Sequence, residues 1–112
     1  LRVTATTVRV PVYRSHAESV NIEFAEAVSV EAARKAIAAF PGAALNDDPD
    51  EQAYPMPLFT SGKDDVEVGR IRLDESVDNA LNFWICGDQI RKGAALNALQ
   101  IAEYMIEHEM IG

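Results

Sequence analysis

Ala80-Leu81-Asn82-Phe83-Trp84-Ile85-Cys86-Gly87 is apolar at nearly every position, and this run constrains the fold more than any other stretch. A strand with one wet face alternates apolar and polar residues. A strand that is apolar on both parities needs cover on both faces. At 112 residues, 48% of them hydrophobic, the chain is one domain with a modest core. A doubly covered strand in so short a chain calls for a layered fold, with cover from another subunit or a further domain.

The remaining periodicities fill in the layers. Residues 3–13 read as a first strand, in which Val8, Val10 and Val12 alternate with Arg9 and Pro11. Residues 19–25 read as its hairpin partner, with Val20, Ile22 and Phe24 on one face and His16 at the hairpin tip. Ala43–Leu45 is a short strand, and Val66–Leu73 a longer one whose imperfect alternation implies contacts on both faces. Asp78-Asn79 marks the turn that follows. Ser29 is an N-cap for a helix from Val30 to about Phe40, with Glu31 in its first turn and Pro41-Gly42 as its stop. A second, longer helix runs from about Gln89 to Glu109 with a wide apolar face. Between them, Asn46 to Gln52 is an acidic loop expected to be solvated. It lacks the ligand spacing of a calcium-binding hand, so no metal site is expected. Pro55 and Pro57 argue against regular structure through residue 62. The expected fold is α+β, a largely antiparallel or mixed sheet covered by two helices.

Charge points to a site. The chain carries a net −8, yet no Asp or Glu precedes Glu18, while Arg2, Arg9 and Arg14 do. A cationic start on an acidic chain suits an anion, and His16, seven residues beyond Arg9, is a proton carrier beside it. Arg91-Lys92 opens the last helix with small Gly93-Ala94-Ala95 behind, a place where an anionic or planar ligand can approach backbone. The acidic balance argues against nucleic acid and anionic membrane as partners. No run approaches the roughly 20 apolar residues of a membrane span, and no signal peptide is evident, so a cytoplasmic location is expected. The single cysteine, Cys86, excludes an internal disulfide and fits a reducing compartment. Leu1 in place of Met points to a piece of something longer.

Three stretches together carry a resemblance. The first runs Thr4-Ala5-Thr6-Thr7-Val8-Arg9-Val10-Pro11-Val12-Tyr13-Arg14-Ser15-His16-Ala17-Glu18. The second is Tyr54-Pro55-Met56-Pro57-Leu58, continuing through Gly62-Lys63-Asp64 to Val68-Gly69-Arg70-Ile71-Arg72. The third is Asn82-Phe83-Trp84 followed by Asp88-Gln89-Ile90-Arg91-Lys92-Gly93-Ala94-Ala95-Leu96-Asn97. In this order they resemble the C-terminal part of the aspartate-semialdehyde dehydrogenases, over nearly the whole chain.

The resemblance implies the C-terminal domain of the glyceraldehyde-3-phosphate dehydrogenase-like fold. It also implies a role in an NADP-dependent enzyme of amino-acid biosynthesis, on the diaminopimelate route to lysine and on those to threonine and methionine. Such an enzyme interconverts β-aspartyl phosphate with aspartate semialdehyde and phosphate. By that resemblance Arg9 binds the substrate carboxylate, His16 is the acid/base and Gln89 approaches the nicotinamide carboxamide. A homodimer is implied as well. Residues 1–112 would be a single-domain fragment of the catalytic and dimerisation domain, without the dinucleotide-binding domain. The family's nucleophile lies in an Asn-Pro-Gly-Cys type segment that does not occur here, and Cys86 is not that residue. Glycines 42, 62, 69, 87, 93 and 112 form no GxGxxG turn. The fragment alone is therefore expected to be inactive and not to hold NADP. The alternative is a non-catalytic dimerisation module or an inactive paralogue.

Overall fold

The structure, a computed structural model, describes residues 1–111. Its centre is a four-stranded mixed sheet in the order β1-β4-β3-β2, formed by β1 (His16–Glu23), β2 (Ala43–Leu45), β3 (Val66–Leu73) and β4 (Ala80–Gly87). β4 pairs antiparallel with both β1 and β3, and β2 adds to β3 in parallel. The expected α+β class, the last three strands and the turn at Asn79, whose φ is 56°, are all present.

β4 is covered on both faces by the chain itself. On one side α1 (Val30–Ala39) packs Ala33, with Val30 and Ile37, against Val68, Ile71, Leu81 and Phe83. Ser29 caps this helix by accepting a hydrogen bond from the Ala32 amide, and Phe40 ends it in extended backbone before Pro41. On the other side lies the segment around α2 (Pro57–Thr60). Pro55 and Thr60 are fully buried there, and Trp84 Nε1 donates to the Pro55 carbonyl at 2.9 Å. Gly69 lets that segment seat directly on the sheet: a Cβ at this position would lie 2.0 Å from the Asn46 carbonyl oxygen.

Several expectations change. Pro55 and Pro57 do not keep the segment irregular, because Pro57 opens α2 at a position whose N–H has no intrahelical acceptor to lose. The alternation of β3 is imperfect because of a bulge. Gly69 pairs with Trp84 and Arg72 with Asn82, so β3 spends one extra residue there. Arg70 sits in that step with φ 52°, and parity resets so that Val68 and Ile71 both face the core. Asp47 in the acidic loop is not solvated. Its side chain is buried, accepts from Arg34 Nε at 2.8 Å and takes the Ile71 amide.

The two ends depart furthest. Residues 3–13 form no strand. They are exposed and irregular, because a strand needs a ladder and none of the chain's described strands offers them one. His16 is accordingly the first residue of β1, paired with Gly87, and not the tip of a hairpin. The last helix is broken: a π turn spans Arg91–Ala95, and Ala94 (φ −142°, ψ −105°) interrupts it before α3 (Leu96–Glu107). That break turns α3 off the sheet. No residue of α3 is buried, and Leu99, Ile101, Tyr104 and Ile106 are exposed.

Candidate functional site

The site is a corner where three chain segments meet at the end of β1 and β4. Ser15 forms it. This serine is 1% exposed and adopts φ 80°, a left-handed conformation that a non-glycine residue holds only when its surroundings enforce it. Three hydrogen bonds do so. Its amide donates to Gln89 Oε1 at 2.8 Å, its hydroxyl donates to the Gly87 carbonyl at 2.9 Å, and its Oγ lies 2.5 Å from Thr60 Oγ1. Two of the residues singled out from sequence are thereby brought together: His16 follows Ser15 directly, and Gln89 is bonded to the Ser15 amide.

Gln89 is oriented by this contact. Its carbonyl oxygen accepts from Ser15, so its amide nitrogen is the end that can serve a ligand, and only as a donor. His16 is exposed at the rim. Arg9 is exposed within the irregular leading segment, and among the described residues it takes no part in this corner.

Asp88 holds the corner from beneath. Its carboxylate is buried and accepts from the Gly62 amide at 2.7 Å, the Ile90 amide at 2.9 Å and Arg14 at 2.6 Å. Burial alone would raise its pKa. The Gly62 amide, the Arg14 guanidinium and the Ile90 amide outweigh that and hold it at about 2, so it is ionised throughout the physiological range. Ser61 Oγ adds a bond to the Arg14 carbonyl at 3.3 Å. The cations after it are already engaged: Arg91 pairs with Asp64, and Lys92 donates to Gln100.

Cys86 is an unsuitable nucleophile. It is fully buried, and burial together with the nearby Glu67 carboxylate pushes its thiol up to about 11. Glu67 itself is drawn down. Burial raises it, but hydrogen bonds from Lys63 and Asn46 prevail.

Sequence reading singled out His16 and Gln89 and did not name Ser15, Thr60 or Asp88, which frame the corner between them. For Asp88 a local signal existed: an aspartate immediately ahead of a helix-like stretch is an N-cap pattern, and its Oδ1 does accept the Ile90 amide. For Ser15 and Thr60 there was none, since a left-handed serine and a partner 45 residues away leave no mark on periodicity.

Comparison with known proteins supplies the context. A family model described as semialdehyde dehydrogenase, dimerisation domain, matches residues 2–92. An aspartate-semialdehyde dehydrogenase of Synechocystis sp. is 58% identical over 107 residues, 96% of this chain and 32% of the relative. That of Aquifex aeolicus is 43% identical over 111 residues, 99% of this chain and 33% of the relative. Among solved structures, aspartate semialdehyde dehydrogenase II from Vibrio cholerae complexed with ASA superposes with a TM-score of 0.80 at 36% identity, covering 88% of this chain and 29% of that one. The chain spans about a third of the length of the curated relatives it matches.

Proposed function

The chain belongs to the semialdehyde dehydrogenase dimerisation-domain family, and from that premise we propose that it is part of an aspartate-semialdehyde dehydrogenase, a cytoplasmic homodimer that interconverts β-aspartyl phosphate with aspartate semialdehyde and phosphate. In this reading residues 1–112 are one domain that contributes to catalysis and dimerisation, and the dinucleotide-binding domain and the nucleophilic cysteine come from elsewhere in the enzyme.

The observation that carries the reading is the bond between the Ser15 amide and Gln89 Oε1, which ties the residue preceding the imidazole to the residue proposed for the cofactor. His16 is the acid/base, taking a proton from the reacting thiol or oxygen and returning it. An exposed imidazole on a buried, hydrogen-bonded backbone corner suits that work, because the ring is presented while its backbone is held. Arg9 offers a planar two-pronged donor for the substrate carboxylate.

NADP is the proposed cofactor; when bound, its oxidised form would take the hydride from the aldehyde and its reduced form would return it in the reverse direction. Gln89 fits it, since its free amide nitrogen can donate to a carboxamide oxygen. Gly93 fits it too. Packing within the chain does not demand glycine there, a Cβ meeting only Gln89 Cβ at an ordinary 3.5 Å, so room for a close-lying group accounts for it better.

The test is NADP reduction by the full-length enzyme with aspartate semialdehyde and phosphate. Replacing His16 by Asn is expected to lower kcat by about 100-fold or more, the range for a general acid–base group. Wild-type rates in that variant would refute the role of His16. A full-length protein inert on this substrate would refute the dehydrogenase reading in favour of a module without catalysis.

A further inference from the structure

Asp88 contacts every segment that leads into the corner, and neither the resemblance nor the proposed chemistry gives it a task. It precedes Gln89 in sequence. Through Arg14 it holds the residue before Ser15, and hence the approach to His16. Through the Gly62 amide it holds the end of the α2 segment, whose Thr60 braces Ser15 from the other side. Through the Ile90 amide it fixes the backbone directly after Gln89. A helix cap alone would require the last of these contacts and no buried charge. A carboxylate that joins three separate segments, with none of its own atoms at the exposed rim, is placed to set their spacing.

We propose that Asp88 is a positioning residue: by clasping Arg14 and the amides of Gly62 and Ile90, it fixes the distance between the His16 imidazole and the Gln89 amide. This rests on the acid/base reading of His16 above. Asp88 touches neither substrate nor cofactor and acts through the corner. The left-handed Ser15 makes the corner sensitive to it, because a strained residue relaxes when its restraints are removed. Displacing a reacting group by about 1 Å is enough to slow a reaction by up to about 100-fold.

The experiment uses the full-length dehydrogenase and a double-variant cycle. Asp88→Asn keeps the shape of the side chain but removes the charge facing Arg14 and turns an NH2 toward N–H donors. It is expected to lower kcat between about 10- and 100-fold, to leave KM for aspartate semialdehyde within about twofold, and to move the limb of the pH–rate profile that His16 controls. Combined with His16→Asn it should cost nothing further, because a residue that works through the imidazole has no effect once the imidazole is gone. If the two losses multiply, or if KM rises as much as kcat falls, Asp88 is structural and the proposal is overturned while His16 keeps its role. If His16→Asn alone is fully active, the acid/base reading falls and takes the positioning role with it. Should Asp88→Asn fail to fold, Arg14→Gln carries the same cycle, since it opens the clasp from its half-exposed side and leaves the Gly62 and Ile90 amides in place. A smaller, equally non-additive fall in kcat supports the proposal, and an unchanged kcat overturns it.

Discussion

Asp88 keeps its charge where water cannot reach it, and that has a consequence for acid stability. Its folded pKa, about 2, lies below the ordinary 3.8. A depressed carboxyl stabilises the fold at pH values above its unfolded pKa, and the stabilisation is lost as pH falls through the folded value. The loss for Asp88 therefore spans the interval from 3.8 down to about 2. Glu67, also lowered, adds to the slope from its ordinary 4.5 downward. The thermal midpoint of the full-length protein should fall across this interval, and Asp88→Asn should flatten the fall. Identical slopes in the two proteins would mean that the carboxylate is not held as described. Ser15 belongs to the same scale. It supplies what a glycine would at φ 80° while adding the hydroxyl that bonds Gly87 and approaches Thr60.

Among the elements, β3 and β4 show how much of the fold could be read in advance and where reading stopped. The nearly continuous apolar run of β4 announced cover on both faces, and no residue of the strand is exposed. What covers the second face was not legible, because two prolines one residue apart look like a loop until Pro57 is seen at the head of a turn of helix. In β3 a broken alternation was visible, but a bulge and a doubly contacted strand produce the same pattern, and only the pairing with β4 separates them. Gly69 is where this element is least tolerant. Gly69→Ala would press a methyl group into the Asn46 carbonyl and the Pro55 ring, and is expected to destabilise the domain by roughly 2 kcal/mol or more. Chemical denaturation of the variant checks this, and an unchanged midpoint would mean that the loop does not seat on β3. At the chain's start, a period of two was a true property of Val8 to Val12, yet periodicity cannot supply a pairing partner.

At the scale of the whole molecule, one sheet carries both the core and the candidate corner. The sheet, α1 and the α2 segment make a core around Leu81, Phe83, Val68 and Ile71, and the corner at Ser15 grows from its edge. Residues 3–13 and α3 lie off that core with Val8, Leu99 and Ile106 exposed, as expected of surfaces completed by more protein. No helix among the described residues is long and apolar enough to cross a membrane. Of the three residues drawn from sequence, His16 and Gln89 meet at one corner, and Arg9 waits on a segment that this chain alone does not order into a strand. The proposed chemistry needs all three to converge on one substrate and cofactor, and a crystal structure of the full-length enzyme with NADP and a substrate analogue would show whether they do. The proposed roles require Arg9 on the substrate carboxylate, the His16 imidazole within hydrogen-bond reach of the reacting carbonyl, and the Gln89 amide nitrogen on the carboxamide while its oxygen still accepts from Ser15. Arg9 pointing away from the bound substrate, or Gln89 released from Ser15 and turned from the cofactor, would contradict them.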